Sequence, residues 1–367
     1  MNAAEPPPSD WAGLAVRSIE QNPFFAPFLT RAALAHLAKG HVHLAAVRNA
    51  CGRLIALAPV GGMRLGRLLP ARAVWTHLYG PLGTPLIDAE QQDEAVSGLI
   101  AAMDGKRRHG ALLVFPDLPI DGPVSQTLQA QARAAGRPVA IIAPYRRAAL
   151  FHADEPPVAV RDGLPPKRRK ELSRQLRRLS EEGVLTIEVS PAATAIDDFL
   201  ALEAGGWKGA RGTALARRPE AEAFMRAAIE GAEEGAAAII AMRLDGRPVA
   251  MLLVFRSGDM AVTWKIAHDE ALARFSPGVQ LMLEASDRLM SDPALRRIDS
   301  LASADHPMID RLWPDRIGIA TLVIGPRNGR LGFVLGVALA RAEAKARAML
   351  RNVIRRRAAR SGREVSS

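Results

Sequence analysis

Thr263-Trp264-Lys265-Ile266-Ala267-His268-Asp269-Glu270, continued after two residues by Ala273-Arg274-Phe275-Ser276-Pro277-Gly278-Val279, reads as a strand that runs through a polar loop into a helix. Ser276 is a favoured N-cap and Pro277 suits the first helical position, where its missing N–H costs nothing. Gly278 has no side chain, so an anion can approach the free N–H groups of the first turn, and Arg274 can add a charge-assisted contact. The stretch is a diphosphate cradle at a strand end or an ordinary capped helix. Lys265 lies between apolar neighbours on a central strand, where a charge is costly unless paired. It either holds an anionic substrate group or forms an ion pair with Asp299 or Glu203.

Outward from this stretch the same order of elements occurs twice. In the first half a helix over 30–39 precedes a hairpin of runs 42–47 and 54–60, with Asn49 and Gly52 in the turn. A strand over 73–78, a helix over 89–103, a strand over 111–115, a helix over 124–135 and a strand over 138–143 follow. The second half has helices over 167–182 and 196–204 about a short strand, 186–189. A hairpin of runs 237–243 and 248–255 then turns at Asp245-Gly246. A strand over 261–267, a helix over 277–290 and strands over 297–301 and 318–324 close it. Gly52 answers Gly246 and Trp75 answers Trp264. The pattern predicts a mixed α/β (α+β) chain of two units in tandem: 11–154, a Pro-rich linker 155–166, 167–326, and a separate tail 327–367.

The chain has 367 residues and a net charge of +11, with apolar residues at 49% and charged residues at 24%, which is a globular composition. Its single cysteine, Cys51, excludes an intrachain disulfide and a Cys-based zinc site. The charge is concentrated: residues 327–367 hold eleven Arg or Lys against Glu343 and Glu364, a net of +9. Residues 331–340 are apolar, and Ala338, Ala342, Ala346, Met349, Leu350, Val353 and Ile354 recur at helical spacing. This is the pattern of an interfacial helix for an anionic membrane surface through 331–360. A basic RNA-binding tail and a helix packed on the second unit are the rival readings. Phe333 is the tail's only aromatic, which argues against base stacking and so against nucleic acid. Residues 1–10 show no targeting segment, and no apolar run reaches the ~20 residues of a membrane span, so the expected location is cytoplasmic, peripheral on the inner membrane. His41 and His43 share a strand face without a third ligand at metal spacing, so no metal is expected. No Walker loop, nucleophile elbow or His-Glu-x-x-His motif is present.

Four pieces carry a family resemblance: Lys167-Arg168-Arg169-Lys170-Glu171-Leu172; Gly206-Trp207-Lys208-Gly209 with Gly212-Thr213-Ala214-Leu215; the Trp264-to-Gly278 stretch; and Asp299-Ser300-Leu301 leading to Ala304-Asp305-His306-Pro307. Over about residues 165–325 the chain resembles the GCN5-related N-acetyltransferase superfamily. The similarity is to its tandem-domain, CelD-like branch of cellulose biosynthesis and, more distantly, to Fem-type peptidoglycan-bridge transferases. The resemblance implies two tandem acetyltransferase-type domains, acyl-CoA as co-substrate, no permanently bound cofactor, and an amine or hydroxyl acceptor in an envelope polysaccharide or lipid pathway. It implies that the donor lies between two splayed central strands, its diphosphate held by Arg274, Ser276, Pro277, Gly278 and Val279. Only Gly278 is glycine where single-domain members have a Gly-rich loop, so another acyl carrier, or aminoacyl-tRNA as in Fem-type enzymes, is the alternative donor. A non-catalytic partner of an envelope-polysaccharide machine is the other rival.

Aminolysis of a thioester needs a deprotonated amine, a polarised carbonyl and an acid for the leaving thiolate. His306, Asp305, Asp269 and Glu270 are the candidate catalytic groups, with His306 first; the alternative is that Asp305 caps a helix and His306 packs. Trp207 and Lys208, with Trp264 and Lys265, are the candidate acceptor grip, by stacking and charge. Trp207 plugging the core is the competing reading.

Overall fold

A computed structural model describes residues 5–107, 109–152, 159–206, 212 and 214–364. The apolar runs pair into one mixed sheet of twelve strands, ordered β1-β2-β3-β5-β12-β6-β11-β10-β9-β8-β7, with β4 added on β2. In the first half these are β1 (Val42–Arg48), β2 (Leu54–Leu65), β3 (Leu69–Val74), β4 (Leu86–Ile87), β5 (Leu113–Pro119) and β6 (Val139–Phe151). In the second they are β7 (Leu185–Pro191), β8 (Ala237–Leu244), β9 (Arg247–Ser257), β10 (Met260–His268), β11 (Arg297–Asp299) and β12 (Asp315–Ile324). The hairpin turn between β8 and β9 takes left-handed backbone at both central residues, Asp245 and Gly246, as its Asp-Gly sequence demands.

The final strand does not close the half that precedes it. β12 lies between β5 and β6, antiparallel to both, so the last strand of the chain completes the first half's part of the sheet. β6 is the reciprocal link: it runs to Phe151, well past the 138–143 expected, and pairs with β12 along most of its length and with β11 at Ala149–Phe151. Arg146 and Arg147 break its apolar pattern in sequence. In the structure Arg147 is fully buried, its Nη2 donating to Asp299 of β11 at 2.6 Å, so a charge that reads as a strand end is a neutralised interior residue.

Helices cover both faces. α1 (Pro8–Arg17), α2 (Pro27–His36), α3 (Gln92–Asp104), α4 (Pro123–Ala134), α6 (Ala192–Gly205) and α7 (Pro219–Glu230) bury their apolar stripes in one core. That core spans both halves, with Phe28 of α2 against Phe255 of β9 at 6.0 Å. On the other face α5 (Pro166–Ser180) and α8 (Pro277–Met290) cover the second half. The first half is covered there by α9 (Arg330–Glu364), through Phe333, Val337 and Ala340. The basic tail is therefore packed on the first half at its start, not on the second. α1 and α7 are not in the sequence reading; each begins at a proline in its first turn, as do α2, α4, α5 and α8, which are.

Candidate active site

β10 and β11 are parallel neighbours only over Met260–Val262 and Arg297–Asp299. β10 continues to His268, while the chain after Asp299 turns away through Leu301, whose φ is +53°. The two central strands thus splay, and the wedge between them is the site's frame. Within the wedge Trp264 is the extra residue of a β-bulge, because Thr263 pairs with Val254 and Lys265 with Leu253. Neighbouring side chains of a regular strand point to opposite faces; the bulge breaks that alternation. Trp264 and Lys265 both meet the aromatic side of the core: the Trp264 ring lies 5.2 Å from Phe255 and 6.2 Å from Phe224. Lys265 Nζ sits 5.5 Å from the Trp264 ring.

A cleft of about 280 Å³ opens there, lined by Trp264, Lys265 and Leu301 from the second half, Arg218 at the start of α7, and Leu78, Tyr79 and Pro81 from the first half. Trp264 Nε1 donates to the Tyr79 carbonyl at 2.6 Å, which holds the first-half loop against the second half's strand, and Arg147 Nη1 of β6 donates to the Pro81 carbonyl at 3.1 Å. The cleft carries two cations, Arg218 and Lys265, and Lys265 lies over its aromatic walls. Of the two ion-pair partners expected for Lys265, Glu203 is the one found: its Oε1 lies 3.8 Å from Nζ, while Asp299 is taken by Arg147. Glu203 is almost fully buried and its Oε2 accepts from the Leu215 N–H at 2.7 Å. Lys265 Nζ also lies 5.6 Å from the Tyr79 ring.

Further along β10, His268 brings the strand to the start of α8. A Cβ on Gly278 would come 3.3 Å from His268 Nδ1, so a larger residue here displaces the imidazole or blocks the helix start. Ser276 occupies the N-cap position in left-handed backbone (φ +54°, ψ +48°) and its side chain makes no capping bond, unlike the capping expected of it. Its carbonyl instead accepts from Val279 N at 2.9 Å and Gln280 N at 3.1 Å. Pro277 and Gly278 are buried and Val279 half-buried at this helix start. Arg274, in the turn before it, pairs with Glu182 after α5 at 3.0 Å and lies 4.5 Å over the Phe275 ring. That pair is exposed, so it costs little to exchange for an anionic ligand. α5 packs beside this cradle: Gln280 Nε2 donates to the Leu172 carbonyl at 2.8 Å. Lys167, Arg168, Lys170 and Arg178 on it are exposed and form no ion pair among the described residues.

The candidate catalytic groups divide. Asp269 caps the 3₁₀ turn Glu270–Phe275, its Oδ1 accepting from Ala271 N at 2.9 Å. Glu270 lines a small pocket on the α6 side of β10 with Glu203, Gly206 and His268. His306 Nδ1 accepts weakly from Met308 N and Ile309 N, both at 3.4 Å, so the imidazole rather than Asp305 caps the following turn. Burial lowers the His306 pKa, with Asp310 opposing. Asp305 is exposed in left-handed backbone, φ +57°. Neither lines the cleft. Trp207 and Lys208 lie outside the described residues. Leu78, Tyr79, Pro81, Arg218 and Leu301 are the cleft residues that sequence reading does not name for the site, and the first three of them come from the other half. The bulge at Trp264 and the splay after Asp299 leave no mark that residue type alone reveals.

The first half has the same splayed geometry and fills it. β3 and β5 pair only at Arg72 with Leu113 and Ala73 with Val114. Leu82 and Thr84 are fully buried beyond that point, and Asn22 Nδ2 donates to both of their carbonyls, at 3.0 and 2.9 Å. A Cβ on Gly83 would overlap the Pro116 carbonyl, so only glycine lets the loop enter.

Residues 166–306 match the family model described as an acetyltransferase (GNAT) domain. The chain's fold is similar to that of the C-terminal domain of a protein described as a lysylphosphatidylglycerol synthetase from Agrobacterium fabrum, at 15% identity, 90% of this chain, 94% of that one and a TM-score of 0.55. It is similar to FemX at 11% identity, 92% and 100% coverage and a TM-score of 0.59. A conserved protein of unknown function from Bacteroides thetaiotaomicron matches at 10% identity, 87% and 98% coverage and a TM-score of 0.55. No curated protein matches the chain. At these identities the structural likeness is one of fold, and it covers both halves.

Proposed function

With a GNAT acetyltransferase domain over residues 166–306, we propose that the protein transfers an acyl group from an activated donor to an amine or hydroxyl acceptor. The observation that carries this reading is the wedge between β10 and β11, where one strand joins an aromatic, cationic cleft to a glycine-opened helix start. The division of labour we propose follows the two units at 11–154 and 167–326. The second binds the donor, and the first supplies the Tyr79–Pro81 wall of the acceptor cleft. Trp264 and Lys265 grip the acceptor, together with Trp207 and Lys208. Gly278 and its neighbours Arg274, Ser276, Pro277 and Val279 receive the donor's phosphates. Glu270, beside His268, is the base candidate nearest the cradle; His306 with Asp305 is the other, reached by movement of its loop.

Two donors fit the cradle. Acyl-CoA suits a helix start opened by Gly278. Aminoacyl-tRNA is favoured by the exposed cations of α5 beside the cradle, Lys167, Arg168, Lys170 and Arg178, which supply the sequence-independent phosphate contacts such a donor needs. A lipid acceptor is supported by one neighbour's name, that of an enzyme making an aminoacylated lipid; an envelope polysaccharide precursor, as in the CelD-like branch, is the companion reading. The test is a transfer assay on the intact protein with acetyl-CoA, palmitoyl-CoA or lysyl-tRNA as donor and phosphatidylglycerol, a long-chain amino-alcohol or a peptidoglycan precursor as acceptor. Turnover with one donor, reduced about 10²-fold or more in Lys265→Met, is expected. Turnover that is unchanged in Lys265→Met rejects the cleft as the acceptor site, and no turnover with any pair rejects acyl transfer.

A further inference from the structure

Helix α9 has two apolar sides, and the fold uses only one. Phe333, Val337 and Ala340 are 8%, 5% and 7% exposed against Leu65, Val114, Ile142 and Val323. The helix is seated closely: a Cβ on Gly336 would come within 2.7 Å of Leu69, and one on Gly66 within 2.5 Å of Leu339. On the opposite side Leu331, Val334, Leu335, Met349 and Leu350 are 87%, 60%, 54%, 68% and 61% exposed. At ~100° per residue Leu331, Leu335, Ala338, Ala342 and Met349 fall within about 60° of arc, a row roughly 27 Å long from position 331 to 349. Arg341 and Lys345 border it, both exposed. Glu343, the one acidic residue of 327–363, is held below the usual carboxylate range by its hydrogen bond from Arg67 and by Arg347.

We propose that this outward row is the surface by which the protein lies on an anionic lipid bilayer, with α9 in the interface plane and the first half of the molecule above it. An aliphatic row bordered by cations matches the two layers of such a surface, acyl chains below and negative head groups around. The helix lies on the bilayer rather than through it: no helix among the described residues is long and apolar enough to cross a membrane. Two other occupants fit less well. Phe333, the tail's only aromatic residue, is buried, so the row offers nothing for bases to stack on. A second copy would bring two tails of net +9 face to face. The proposal stands whichever donor the cleft takes.

Flotation of the intact protein with vesicles tests it, using phosphatidylcholine alone or equal parts phosphatidylcholine and phosphatidylglycerol. Binding to the mixed vesicles is expected, weaker by about tenfold or more on phosphatidylcholine alone and by about tenfold in Leu335→Asp/Met349→Asp. Both changes point to solvent, so the unfolding midpoint stays that of the wild type. Arg341→Glu/Lys345→Glu is a second variant that leaves the apolar row intact and loses the preference for phosphatidylglycerol. Equal binding by wild type and the aspartate variant overturns the proposal. So does retention of bulk tRNA by wild type and the aspartate variant alike with no binding to either vesicle, which assigns the tail to nucleic acid.

Discussion

His77 shows how one side chain couples the site's floor to solution conditions. Its imidazole lies 5.0 Å from the Trp75 ring and edge-on to Phe224 at 5.4 Å, and its buried Nδ1 has no hydrogen-bond partner among the described residues. Burial pulls its pKa from 6.5 to about 4. The unfolded chain takes up a proton near 6.5, whereas the folded chain resists until about 4. The stability this ring contributes is therefore complete above 6.5 and is lost progressively as the pH falls towards 4, up to about 3 kcal/mol. Urea midpoints measured from pH 7 to pH 4 should fall more steeply for wild type than for His77→Phe, which keeps the ring and cannot titrate. Parallel curves for the two proteins would contradict the assignment. Lys265 makes the complementary point about legibility. Its need for a partner was visible from a charge among apolar neighbours, and Glu203 was one of the two partners named. Its position beside Trp264 on one face was not, because a bulge inverts the alternation on which such a reading relies.

At the scale of elements, the strands that reach across the middle of the sheet decide the site's shape. β6 runs beyond its apparent end because Arg147 is neutralised by Asp299, and its final residues dock on β11. The same guanidinium holds the Pro81 carbonyl at the cleft wall. Arg147→Met leaves Asp299 buried without its cation and should cost about 3–5 kcal/mol, seen as a lowered urea midpoint. Arg147→Met/Asp299→Leu, which removes both charges, should recover much of that loss. A single variant as stable as wild type, or a double variant worse than the single, would show that the pair does not hold these strands together. The hairpins, the strand–loop–helix at Trp264–Gly278 and the basic helix α5 were legible because periodicity and turn chemistry are local. The insertion of β12 between β5 and β6 was not, since nothing in its residues distinguishes pairing with one half from pairing with the other. The α9 helix was legible as an amphipathic segment, while the half it packs on was not.

At the scale of the whole molecule, two similar wedges have different fates. The first half closes its wedge with Leu82, Gly83 and Thr84, tied down by Asn22, and lends the adjoining Tyr79–Pro81 segment to the second half's cleft. On the proposed reading one chain offers one donor cradle, at the start of α8, although its architecture repeats. The most direct test is calorimetric titration of the intact protein with acetyl-CoA, palmitoyl-CoA and aminoacyl-tRNA, repeated on Gly278→Trp after its unfolding midpoint has been matched to wild type. The account predicts saturable binding of one of these donors with one site per chain, abolished by Gly278→Trp. Two sites per chain, binding indifferent to Gly278→Trp, or no binding of any of the three would contradict it.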